Sequence, residues 1–178
     1  MKILVLNGSP RKGGNTELLV QAFVDGAKAK NEVEIISVSD VKVNPCVGCN
    51  SCFLREGNGC FQKDDMTKIY QALKKADALV IASPVYFYGI SAQLKAIVDR
   101  LHTPMRNEFA IKKLGLILVG AASLPQLFDS IITQYQLVLD FFHLEDIGKV
   151  LVRNVKDKGD VKNTTGLEEA RCLGESLT

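Results

Sequence analysis

Gly8-Ser9-Pro10-Arg11-Lys12-Gly13-Gly14-Asn15-Thr16 constrains this chain more than any other stretch. An apolar run, Lys2-Ile3-Leu4-Val5-Leu6-Asn7, precedes it, and Glu17-Leu18-Leu19-Val20-Gln21-Ala22-Phe23 follows with helical spacing. The stretch is therefore predicted to turn from a strand into a helix at the C-terminal edge of a parallel sheet. Its residue types suit a phosphate. Glycines such as Gly14 let the backbone approach closely, and Ser9, Asn15 and Thr16 offer side-chain donors. Arg11 adds a planar cationic fork, and the helix N-terminus presents free N–H groups. The plainer reading is a polar loop with a helix cap, but the density of phosphate-binding types argues against it.

The turn lacks the Gly-x-x-x-x-Gly-Lys-Ser/Thr of a nucleoside-triphosphate loop and the Gly-x-Gly-x-x-Gly of a dinucleotide fold. One arginine with hydroxyl and amide donors suits a single terminal phosphomonoester, and FMN is the expected ligand on this architecture.

The 178 residues, 47% of them hydrophobic, suffice for a single domain spanning 1–178 with a full core. A net charge of +2 makes no electrostatic case for nucleic acid or a membrane surface. No apolar run approaches bilayer length, and the N-terminus enters a strand directly, so a cytoplasmic location is expected. In that compartment the five cysteines are ligands, redox groups or packing rather than disulfides.

Apolar strand runs alternate with helical patterns. Strands are predicted at the N-terminus, at 32–38, at 77–82, at 113–119, and around Lys149-Val150-Leu151-Val152. Helices are predicted after the first turn, up to Lys75, after a Ser91 cap, from about Leu124 to Phe142, and over 166–177. Such strand–helix units imply right-handed crossovers and a five-stranded parallel sheet covered on both faces, a flavodoxin-like three-layer sandwich of order 2-1-3-4-5. That order puts a switch point beside the first strand, where the Ser9 loop emerges. The loop Ser83-Pro84-Val85-Tyr86-Phe87-Tyr88-Gly89 leaves the third strand on the other side of the same crevice. Its three consecutive aromatics are expected to wall a planar ring, against the alternative that each packs over the sheet end.

Together with Gln93-Leu94-Lys95-Ala96-Ile97-Val98-Asp99-Arg100, these two loops resemble the NADPH-dependent FMN reductase family, strongly over the first ~105 residues and by pattern beyond. The resemblance implies FMN, with Ser9, Arg11, Gly14, Asn15 and Thr16 around its phosphate and Pro84, Val85, Tyr86, Phe87, Tyr88 and Gly89 along the isoalloxazine ring. It also implies NAD(P)H as reductant and a homodimer or homotetramer with the flavin near a subunit interface. The loop Gly120-Ala121-Ala122-Ser123-Leu124-Pro125 is less glycine-rich than the family's usual loop at this place.

Cys46-Val47-Gly48-Cys49-Asn50-Ser51-Cys52 spaces three thiols two residues apart, and Cys60 follows. Cys46, Cys49, Cys52 and Cys60 suit a 4Fe–4S cluster, and the pattern resembles the iron–sulfur flavoproteins, a branch of the same family. A metal-free loop is an open alternative, and zinc ranks below both. Cys49 and Arg55 match a phosphatase-loop spacing, a coincidence given Pro45 and the crowded thiols. Cys172 is expected in the core of the closing helix, Asp99 and Arg100 at surface or subunit contacts, Asp64 and Asp65 as helix caps. His102 and His143 are expected beside helix C-termini.

No pair of residues is arranged as nucleophile and base. The predicted function is an FMN-dependent oxidoreductase passing electrons from NAD(P)H to a quinone, a nitro or azo compound, or free flavin. The alternatives are an electron carrier that uses FMN, with or without a cluster, and a nucleotide-sensing protein without redox work.

Overall fold

Short leucine and β-branched runs become strands, and the amphipathic stretches between them become crossovers. The computed structural model describes residues 1–178. Strands β1 (Lys2–Asn7), β2 (Glu32–Ser37), β3 (Ala78–Pro84), β4 (Lys113–Val119) and β5 (Glu145–Val152) form one sheet in the order β2-β1-β3-β4-β5. Every neighbouring pair is parallel, as predicted. The helices are α1 (Asn15–Ala27), α2 (Ser51–Leu54), α3 (Met66–Leu73), α4 (Ala92–Asp99), α5 (Asp129–Phe142) and α6 (Gly166–Glu175). None is long and apolar enough to cross a membrane.

Successive strand residues point to opposite faces, so each inner strand feeds two cores. Ile3, Val5, Val80 and Ile117 pack with Leu19 and Phe23 of α1 and Ala170 of α6. Leu4, Leu6, Leu79, Ile81 and Leu116 face the other way, toward Ile69, Leu94, Ile97 and Ile131. Helices α1 and α6 touch backbone to backbone. A Cβ on Gly26 would stand 2.2 Å from the Arg171 carbonyl oxygen, and one on Gly174 2.2 Å from that of Phe23. Only glycine at both places allows that approach.

Most boundaries fall within two residues of the sequence reading, and two differ by more. The long helix starts as a 3-10 turn at Pro125–Phe128 and becomes α-helical at Asp129, because proline suits a first turn but not a helix interior. Strand β5 begins at Glu145, ahead of the apolar run. It is an edge strand, so its polar start is tolerated in solvent, and a register shift opposite Leu114/Leu116 accompanies Gly148 at φ 116°.

Two side chains lie where the sequence reading did not expect them. Cys172 is exposed rather than in the core. The buried stripe of α6 is Gly166, Ala170 and Gly174, and a residue two positions past Ala170 points away from it. Arg100 is only 4% exposed rather than at the surface. Its Nη1 stands 2.5 Å from Asp64 Oδ2, in an ion pair with both side chains 3% exposed.

Candidate functional site

The N-terminus of α1 has no side-chain cap. Gly14 holds the N-cap position, and its carbonyl accepts from Leu18 N at 3.1 Å. The N–H groups of Gly14, Asn15, Thr16 and Glu17 find no acceptor in the chain. Four such donors at the positive end of a helix form an anion site. Gly13 turns the loop at φ 63°, and a Cβ on Gly14 would sit 3.3 Å from the Arg11 carbonyl oxygen. Ser9, 4% exposed, braces the turn from inside: its Oγ accepts from Arg11 N at 3.2 Å. The Thr16 hydroxyl has no partner in the chain yet keeps contact with solvent, since it is not among the buried unpaired atoms. Arg11 is exposed and pairs with no carboxylate. These groups fit a phosphomonoester: amide donors, a free hydroxyl and an uncommitted guanidinium around one loop.

Asn15 does something the sequence did not announce. Its Nδ2 donates to the Asp157 carbonyl at 2.7 Å, and its Oδ1 accepts from Gly159 N at 2.8 Å. The carboxamide thus ties the segment after β5 to the anion loop, leaving the Asn15 backbone N–H as its donor toward that loop. The tie brings Lys158 over the loop, with Nζ 3.3 Å from the Lys12 carbonyl oxygen. Lys158 is a second cation near the cradle, and no local signal in the sequence connects residue 158 with residue 12. Glu17 was also missed; its Oε2 accepts from Gly13 N at 2.6 Å and occupies one amide of the turn.

The second loop is latched to the first. Gly8 N donates to the Ala82 carbonyl at 2.7 Å, and Ser91 Oγ to the Gly8 carbonyl at 2.6 Å. The same Ser91 oxygen accepts from Leu94 N at 3.3 Å, capping α4 as predicted. A Cβ on Gly8 would fall 2.6 Å from Leu94 Cδ2, so this glycine admits α4 to the end of β1. Pro84 ends β3, and Val85 N donates to the Val119 carbonyl at 2.8 Å. Tyr86 and Gly89 then exchange backbone hydrogen bonds of 2.9 and 3.1 Å. Phe87 and Tyr88 lie between them at φ 48° and 64°, the geometry of a type I′ hairpin turn. Two adjacent left-handed aromatics carry strain, which Ser130 offsets by donating to the Tyr88 carbonyl. The backbone N–H groups of Val85, Tyr86 and Gly89 are therefore engaged within the protein. Tyr86, which opens the turn, and Tyr88 within it are half exposed, while Phe87 is 97% exposed. Just past β5, Arg153 Nη2 donates to the Pro125 carbonyl in the segment after β4 at 2.8 Å, and its guanidinium lies over Phe128.

A polar cavity of 280 Å³ adjoins the anion loop and is lined by Asn7, Lys12, Glu17 and Ser37 among others. The larger cavity, 610 Å³ and mostly apolar, lies elsewhere, between α4 and α5 on one sheet face. None of the anion-loop or Pro84–Gly89 residues lines it.

The cysteine segment is a loop closed at its neck. Lys42 N donates to Asp65 Oδ2 at 2.8 Å, Asn44 N to Asp64 Oδ2 at 2.9 Å, and Gln62 Nε2 to the Pro45 carbonyl at 3.1 Å. Asp64 also accepts from Met66 N at 3.2 Å, the helix-starting role predicted for it. Burial opposes its charge, yet Arg100 and these two amides hold its carboxyl below the usual carboxylate range. Inside the loop, Cys46 and Cys49 are exposed, Cys52 and Cys60 are partly buried, and all are unbridged. Ser51 Oγ lies 3.3 Å from Cys49 Sγ, and the hydroxyl, donating to the thiolate, holds that thiol below its ordinary value. Phe53 packs 6.0 Å from the ring of His102, and His143 ends α5 at φ 54°. No three cysteines, histidines or carboxylates converge as a ready-made metal site. The donor set still fits an anionic iron–sulfur cluster better than a single ion: four free thiols on one loop, whose neck is held by a buried guanidinium with an unpartnered Nε.

Comparison with known proteins identifies the family. The chain is 37% identical to an iron-sulfur flavoprotein of Methanocaldococcus jannaschii, over 99% of this chain and 95% of that one. Its fold superposes on an NAD(P)H:quinone oxidoreductase from Methanothermobacter marburgensis with a TM-score of 0.78 at 16% identity, covering 100% and 99% of the two chains. An FMN-dependent NADH-azoreductase from Bacillus anthracis gives 0.72 at 17% identity, over 99% of each. The family description of the NADPH-dependent FMN reductases matches residues 1–153, and the chain belongs to that oxidoreductase family.

Proposed function

We propose that this protein binds FMN and uses NAD(P)H to reduce a small acceptor: a quinone, a nitro or azo compound, or free flavin. The observation that carries the reading is the uncapped start of α1, with four unpaired N–H groups beside an uncommitted Arg11, at the C-terminal edge of the sheet. Gly14, Asn15, Thr16 and Glu17 would hold the FMN phosphate through backbone N–H groups, helped by Arg11, Lys158 and the Thr16 hydroxyl. Ser9 keeps the turn in shape. Pro84, Val85, Tyr86, Phe87, Tyr88 and Gly89 would border the ring. When bound, FMN supplies the redox chemistry, accepting a hydride from the nicotinamide and passing electrons on. The polypeptide orients the two partners and limits water, with no side chain needed as nucleophile or base.

The quinone oxidoreductase and azoreductase with this fold support a small-molecule acceptor. The name of the iron-sulfur relative supports a cluster on Cys46, Cys49, Cys52 and Cys60, which makes one-electron transfer the second reading. The exposed Phe87 and Phe141 are consistent with a homodimer or homotetramer, and the cysteine content with a reducing cytoplasm. The test is anaerobic mixing of FMN-loaded protein with NADPH or NADH. Rapid bleaching of the flavin supports the reductase. Flavin that neither nucleotide reduces, but a separate reductase does, supports the electron carrier.

A further inference from the structure

Every buried side-chain nitrogen and oxygen in the protein finds a hydrogen-bond partner except Arg100 Nε. A buried donor left unpaired carries its full desolvation penalty, so an orphan on an arginine calls for an acceptor. The guanidinium is held from the other side: Nη1 donates to Asp64 Oδ2 at 2.5 Å and to the Asn44 carbonyl at 3.1 Å. Those partners lie on the two sides of the neck that closes the cysteine loop, with Cys46 to Cys60 between them in sequence. The Tyr70 hydroxyl donates to the Arg100 carbonyl at 2.8 Å and anchors the residue at the end of α4. The site lies at the base of the thiol loop: Asn44 is two residues before Cys46, and the ring of Phe53, next to Cys52, packs 6.0 Å from that of His102, two residues past Arg100.

We propose that Arg100 is the positioning residue of the cysteine loop: it clamps the neck through Asp64 and Asn44 and donates its Nε–H to a sulfur of the cluster held by Cys46, Cys49, Cys52 and Cys60. This rests on the cluster reading above. Asp64 already neutralises the guanidinium charge, so the influence on the cluster is that of a directed donor rather than a net cation. Hydrogen bonds to cluster sulfurs favour the more negative, reduced state and raise the reduction potential. Lysine at this position keeps the charge for Asp64 but has no Nε–H in a planar fork.

The experiment uses anaerobically purified, FMN-loaded wild-type protein, Arg100→Lys, and the charge-neutral double variant Arg100→Gln/Asp64→Asn. Iron and acid-labile sulfide are assayed first. The cluster potential is then measured by spectroelectrochemical titration, and the Fe–S stretching bands are compared in H2O and D2O. Both variants should retain FMN and titrate at a more negative cluster potential, and the D2O sensitivity of one Fe–S band should be lost. A cluster in Arg100→Lys with wild-type potential and wild-type D2O shift overturns the donor role and leaves the cluster reading standing. Wild-type protein without iron and sulfide overturns both. Loss of the cluster from Arg100→Lys while FMN is retained supports the clamp.

Discussion

Replacing Asp64 by Asn should cost most of what a buried ion pair costs to break, about 3 kcal/mol at neutral pH. The pair is shut off from water, with both side chains 3% exposed, so solvent cannot replace the lost carboxylate. Asparagine can still accept from Asn44 N or Met66 N, which places the loss at the low end of the usual range of about 3–5 kcal/mol. With a urea slope of about 2 kcal/mol/M for a small domain, the midpoint should fall by about 1.5 M. Urea titrations of FMN-saturated wild type and variant at the same ligand concentration measure this. The pH dependence has a definite sign. The folded carboxyl titrates below its ordinary value. Its stabilisation is therefore complete above the unfolded value of about 3.9 and is lost as pH falls through the folded value. The gap between wild type and variant should be constant from pH 7 to 5 and close only below about pH 4. A gap under about 1 kcal/mol at pH 7, or one that stays the same in acid, would refute the claim that this pair is buried and charged.

Three further outcomes are expected. Arg11→Ala should weaken FMN by about 1.5–3 kcal/mol, the range for a charged hydrogen bond, and Lys158→Ala should weaken it less because Nζ already has a carbonyl partner; titration of apoprotein with FMN reads both. Gly174→Ala should destabilise by at least about 1–3 kcal/mol, since its methyl would press on the Phe23 backbone, whereas Gly159→Ala meets no atom and should show only the cost of its positive φ; thermal melts separate them. Tyr88→Gly should gain about 1 kcal/mol locally by relieving a left-handed residue, and unchanged NADPH oxidation would show that its ring is dispensable for turnover.

How much of this was legible in the chain depends on whether the signal is local. The Gly8–Thr16 turn, the Ser91 cap and the alternation of apolar runs with helical stripes depend on neighbours a few residues apart, and the backbone obeys them. The element order then dictates the sheet order, because parallel neighbours joined by right-handed crossovers have few ways to pack. Asn15 shows where local reasoning fails. Its position in a phosphate-type loop marks it as a ligand donor, yet its amide side chain holds a segment more than 140 residues away. The Phe87–Tyr88 turn is a similar case. Sequence preference would place asparagine and glycine there, and only the pairing of Tyr86 with Gly89 forces two aromatics into left-handed geometry.

By itself, then, the amino-acid sequence determined the strands, the crossovers, the sheet order and the loop that presents free amides at a strand end, since all of these follow from short-range periodicity and turn chemistry. Tertiary structure alone decided the charges. It buried Arg100 against Asp64, left one guanidinium N–H without an acceptor beside the cysteine loop, turned Cys172 outward and set Lys158 above the anion cradle. The physical reason is that a side chain's partner is chosen by what the folded sheet brings within about 3 Å, and that distance bears no relation to separation along the chain.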